Sequence, residues 1–92
     1  MKKISVIGGG YVGLVSAVCF ANRGYDVFLC ERDVEKAELI LSGRPPFFEP
    51  SLDGLLRKTI DAGKLRILTR IKDAVSDSEV TFVAVGTPSR SD

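Results

Sequence analysis

The sequence contains no histidine, so the commonest general base and the commonest nitrogen ligand for a metal are both missing. Cysteine is nearly as scarce. Cys19 and Cys30 lack the short spacing of a zinc site, and each sits in a strongly apolar stretch. Buried, reduced thiols are expected at both, with no metal site and no structural disulfide, which points to a reducing, cytoplasmic compartment. Neither charge sign is in excess. Thirteen basic residues face 12 acidic ones, for a formal net charge of +1, which argues against a nucleic-acid or anionic-membrane partner. Long hydrophobic runs are absent too: after Lys2 and Lys3 only a short apolar-leaning stretch precedes the glycines, too short for a secretory signal or a membrane span.

What remains is the composition of an ordinary globular domain, 45% hydrophobic and 27% charged over 92 residues. A chain of this size buries only about 60–65% of the surface its unfolded form exposes, so modest stability on its own is expected.

Ile4, Val6 and Ile7 form a short β-branched run stopped by Gly8, Gly9 and Gly10, the pattern of a buried parallel strand ending in a turn. Tyr11 to Asn22 reads as a mostly apolar helix closed by Gly24. Val27 to Cys30 make a second buried strand. Asp33 is a plausible N-cap for a helix running to about Ser42, with Val34, Ala37 and Leu41 on one face and Gly43 at its end. The stretch 44–50 carries three prolines that exclude regular hydrogen bonding, and the adjacent Phe47 and Phe48 are expected to order it by burial. Leu52, Leu55, Leu56 and Ile60 give a helical stripe ending at Gly63. Leu65 to Thr69 alternate as a third strand, Ile71 to Val75 allow only a short helix, and Val80 to Val85 form a fourth strand before a Gly-Thr-Pro turn. Such alternation calls for a parallel sheet with right-handed crossovers, in the order 3-2-1-4, with a ligand crevice between the first and fourth strands.

Gly8, Gly10 and Gly13 spell G-x-G-x-x-G directly after a strand and at the opening of a helix, which is where a dinucleotide's phosphates need it. The first glycine permits the tight turn, the second lets backbone approach the pyrophosphate, and the third lets helix and strand pack closely. Helix N–H groups then face the phosphates. The same site needs an acidic residue at the end of the second strand for the adenosine ribose, and Glu31 stands there. Its carboxylate would repel a 2′-phosphate, favouring NAD over NADP. Arg32 beside it pulls the other way if its side chain reaches the ribose, and is inert if solvated.

The run Ile4-Ser5-Val6-Ile7-Gly8-Gly9-Gly10-Tyr11-Val12-Gly13-Leu14-Val15, with Cys19-Phe20-Ala21 after it, resembles the start of the UDP-glucose and GDP-mannose dehydrogenase family. Phe48-Glu49-Pro50-Ser51-Leu52 is similar to that family's Tyr-Glu-Pro-Gly-Leu, Ala62-Gly63-Lys64-Leu65-Arg66 to its Ala-Gly-Arg-Leu-Arg, and Val85-Gly86-Thr87-Pro88 to its Val-Gly-Thr-Pro loop. The resemblance covers essentially the whole chain. It implies a Rossmann-like four-stranded half of a dinucleotide-binding domain over residues 1–92, with catalytic and sugar-nucleotide domains outside this chain. By the same resemblance Tyr11 and Val12 contact the pyrophosphate and adenosine, Glu31 accepts from the ribose, Lys36 lies near that ribose, and Thr87 contacts the cofactor across the crevice. Glu31 replaces the family's usual Asp, and Gly9 a small polar residue.

The resemblance further implies NAD as cofactor, a UDP- or other nucleotide-sugar as substrate, and a homo-oligomer. Two successive hydride transfers would oxidise a sugar primary alcohol to a carboxylate through a cysteine thiohemiacetal and thioester. Neither Cys19 nor Cys30 matches that cysteine, so no catalytic residue is assigned. A stand-alone NAD-binding or regulatory module without chemistry is the alternative. A hydroxyacyl-CoA type of dehydrogenase shares the glycine pattern but gives no reason for Gly86-Thr87-Pro88.

Overall fold

The computed structural model describes residues 2–8, 10–44, 51–76 and 78–84. Expectations that fall on Gly9, on the proline-rich stretch 45–50 and on 85–92, including Val85 and Thr87, lie outside the described residues. Strands and helices alternate as β1 (Lys3–Ile7), α1 (Tyr11–Asn22), β2 (Asp26–Cys30), α2 (Val34–Leu41), α3 (Leu52–Asp61), β3 (Leu65–Leu68), α4 (Ile71–Val75) and β4 (Val80–Val83). The sheet is wholly parallel in the order β3-β2-β1-β4. Register brings Ile7 level with Cys30 on one side and Val83 on the other, so three strands finish at a common edge.

Period-two alternation divides the strand side chains between two faces. Ile4, Val6, Val27, Leu29 and Leu65 point to one face and meet Leu14, Ala17, Val18 and Ala21 of α1, Ile40 of α2, and Leu52 and Leu56 of α3. Ile7 and Cys30 point to the other, where Ala74 of α4 covers them, with Phe28, Leu68 and Val75 at the margin. Ser5 also lies on this second face and is fully buried. Its Oγ is 2.7 Å from Thr81 Oγ1 and 3.0 Å from Ser78 Oγ, and Ser78 in turn donates to the Val75 carbonyl. A hydroxyl chain therefore satisfies the one polar side chain of β1's interior.

Local signals set the ends of the helices. Asp33 caps α2 with its carboxylate, accepting from the Glu35 and Lys36 N–H groups. At the end of α1 the Gly24 N–H bonds to the Ala21 carbonyl and the Tyr25 N–H to that of Phe20, a Schellman closure that recurs at Gly43 and Gly63.

Three expectations need correction. Cys19 is exposed, not buried, because the buried positions of α1 follow 14, 17, 18 and 21 and turn residue 19 outward; Cys30 is buried as expected, and neither is in a disulfide. In α2 the buried residues are Ala37 and Ile40, whereas Val34 and Leu41 are 57% and 51% exposed, since with Leu39, Ile40 and Leu41 all apolar the period alone does not select the inner one. The third and fourth strands stop at Leu68 and Val83, short of the expected Thr69 and Ala84.

Candidate dinucleotide site

Gly8 ends β1 with φ of 109°, a region open to glycine and strained for other residues. Its N–H donates to the Cys30 carbonyl at 2.9 Å, which ties the turn to the end of β2. Gly10 then forms the N-cap of α1 in extended conformation, with no side-chain cap and no acidic residue in the first turn. A Cβ placed on Gly10 would meet nothing within 4 Å, whereas one on Gly13 would collide with the Gly8 carbonyl oxygen. These glycines therefore do different things. Gly13 lets the helix sit against the turn, and Gly10 keeps the space before the helix clear. The positive end of α1 faces that space with no anionic side chain of its own to neutralise it. Tyr11 and Val12, at the start of α1, are 54% and 63% exposed.

Glu31 follows β2 and is buried, at 8% exposure. Its backbone N–H continues the ladder to the Leu68 carbonyl. Its Oε2 accepts the Asp33 N–H at 2.9 Å, and its Oε1 lies 3.9 Å from the Lys36 ammonium, which α2 delivers from one turn in. Lys36 is thus brought to Glu31, while Arg32 is exposed. The Asp33 to Glu31 bond was not legible as a site feature: Asp33 reads as a helix cap, and only the short Glu-x-Asp spacing hints at the second role. Beneath this corner, burial pushes the Cys30 thiol above its ordinary value, with the Glu31 charge acting in the same direction. Thr87 lies outside the described residues.

A glycine turn leading into an uncapped helix, with a buried carboxylate one strand over at the same edge of a 3-2-1-4 parallel sheet, defines a dinucleotide-binding α/β unit. Residues 2–92 match the family model for the NAD binding domain of the UDP-glucose/GDP-mannose dehydrogenase family. The chain belongs to that family. It is 49% identical over 88 residues to UDP-glucose 6-dehydrogenase of Rhizobium meliloti, a match covering 96% of this chain and 20% of the relative. Among solved structures it is similar to a GDP-mannose dehydrogenase from Pseudomonas aeruginosa in a ternary complex, with TM-score 0.89 and 44% identity over 95% of this chain and 20% of that one. It is also similar to a UDP-glucose dehydrogenase from Pyrobaculum islandicum, with TM-score 0.91 and 39% identity over 96% of this chain and 20% of that one. The chain therefore spans about a fifth of the length of the relatives it matches. No helix among the described residues is long and apolar enough to cross a membrane.

Proposed function

We propose that this chain is the NAD-binding part of a nucleotide-sugar dehydrogenase that oxidises the primary alcohol of a sugar to a carboxylate. Residues 1–92 hold the adenosine half of NAD, and the catalytic and sugar-nucleotide domains belong to a longer polypeptide, in keeping with relatives about five times as long. The observation that carries the reading is the division of labour between Gly13, packed on Gly8, and Gly10, which leaves a clear, uncapped helix start. A pyrophosphate fits that chemistry, an anion before a helix N-terminus that has no side-chain cap.

In this reading Gly8, Gly10 and Gly13 shape the phosphate turn, and Tyr11 and Val12 border the pyrophosphate and adenosine. Glu31 accepts from the ribose hydroxyls with Lys36 alongside, and Thr87 contacts the cofactor. NAD, when bound, supplies the hydride acceptor; the residues of this chain bind and orient it. The substrate is UDP-glucose or another nucleotide-sugar. The protein works as a homo-oligomer in the cytoplasm, which suits its two unpaired thiols.

Following NADH formation by the full-length protein with UDP-glucose and with GDP-mannose tests the reading. Turnover with one of them is the expected result. NAD binding without turnover on any nucleotide-sugar would leave a binding module instead. Parallel titrations should show NAD bound and NADP bound much more weakly, because Glu31 would oppose a 2′-phosphate. Equal affinities would mean that Arg32 governs the ribose end.

A further inference from the structure

Two of the contacts on the Glu31 carboxylate, one to each oxygen, depend on one neighbour. Asp33 donates its backbone N–H to Glu31 Oε2 at 2.9 Å, while its own side chain accepts the first-turn N–H groups of Glu35 and Lys36. The helix it starts carries Lys36, whose ammonium stands 3.9 Å from Glu31 Oε1. We propose that Asp33 is a positioning residue for ribose recognition: it braces the Glu31 carboxylate through its N–H and, by capping α2, sets Lys36 against the other oxygen. The proposal rests on the reading of Glu31 as the ribose acceptor.

A free glutamate has three side-chain torsions and would lose rotamer freedom on binding a ligand. With Oε2 held by an N–H and Oε1 faced by an ammonium, the plane of the carboxylate is set before any ligand arrives. An ionised carboxylate is an acceptor-only group. Two vicinal ribose hydroxyls are donors, and a carboxylate whose plane is already set receives them without first being ordered. Without the cap, the first-turn N–H groups of α2 lose their acceptor, and the turn bearing Lys36 frays.

The test compares ADP with 2′,3′-dideoxy-ADP as ligands of the full chain, because their affinity ratio isolates the ribose hydroxyls from the phosphates and the base. Wild type is expected to prefer ADP by about a hundredfold or more, the worth of two hydrogen bonds to a charged acceptor. Asp33→Ala, which removes the cap, should reduce that preference several-fold. Asp33→Pro should reduce it further, since it also removes the N–H, and the Asp33 φ of −79° admits the ring. Asp33→Asn keeps both the N–H and a capping oxygen and should restore the preference; should the proline variant not fold, alanine against asparagine decides. If Asp33→Ala weakens both ligands equally and leaves their ratio unchanged, Asp33 merely supports the helix and the proposal is overturned. Glu31→Ala separates the two ideas. If it abolishes the preference while Asp33→Ala does not, only the positioning role falls; if it leaves the preference intact, the ribose reading falls and the proposal with it.

Discussion

The two faces of the sheet are made by the same strands yet are covered very differently. On one, three helices bring Leu14, Ala17, Val18, Ile40, Leu52 and Leu56 down onto Ile4, Val6, Val27 and Leu29. On the other, α4 is the only helix among the described residues to cover the strands: it buries Ile7 and Cys30 beneath Ala74, leaves Phe28 and Leu68 half-covered, and leaves Val83 at the end of β4 70% exposed. A helix of five residues is about 7.5 Å long, whereas four strands span about 14 Å. Strand apolarity demands cover on both faces, but the length of the connecting segment decides how much each receives. The glycine turn and the start of α1 belong to the well-covered side, so the candidate phosphate site is built on the face that three helices cover.

Leu29→Ala against Leu68→Ala tests that contrast most strongly. Leu29 is fully buried under the three helices and should cost about 3–5 kcal/mol; Leu68, only partly buried, should cost about 1 kcal/mol. Urea denaturation measures both, and equal losses would erase the difference between the faces. At the edge of the covered side, Gly10→Val should leave the fold intact, because φ is −71° and the added Cβ meets nothing. Its NAD affinity should nonetheless fall about a hundredfold, roughly 2.8 kcal/mol, if the side chain takes the space that the proposed function gives to the pyrophosphate. A Gly10→Val protein that melts normally and titrates with NAD like wild type would reduce the glycine turn to a packing device.

The covered side is not relaxed everywhere. Ser51, at the start of α3, has φ of 69°, where a non-glycine residue is strained by about 1–2 kcal/mol. It stands where the sequence is similar to the family's Tyr-Glu-Pro-Gly-Leu, which has glycine. Ser51→Gly should therefore raise stability by about 1 kcal/mol after the added unfolded-state freedom of glycine is subtracted, visible as a higher melting temperature. A lower one would show that Ser51 has a partner worth more than its strain.

The two thiols give the smallest and most local comparison. Cys19, on the outer side of α1, should react readily with a thiol reagent, whereas Cys30, buried under α4, should be protected until the protein unfolds. Because the Cys30 thiol is raised above its ordinary value of 9.0, its contribution to stability is complete below that pH. It declines as pH climbs past about 9, where the unfolded chain ionises first. Cys30→Ala should flatten that alkaline decline, and an unchanged pH profile would mean that Cys30 is not its source.

The sequence by itself determined the alternation of strands and helices, the glycine turn into α1, the Asp33 cap and the placing of Glu31 after β2. All are local: they depend on a period, a backbone conformation or a neighbour one to three residues away. Tertiary structure decided which way each helix turned. In α1 nearly every side is apolar, so only packing against β1, β2 and α3 put Leu14 and Val18 inward and Cys19 outward. In α2 three consecutive apolar residues competed, and the sheet took Ile40. The partners of Ser5 lie more than seventy positions along the chain, where β4 returns beside β1. The double hold on the Glu31 carboxylate formed only once α2 folded back along its own cap, because a contact between side chains depends on where backbones meet in space as well as on which residues they carry.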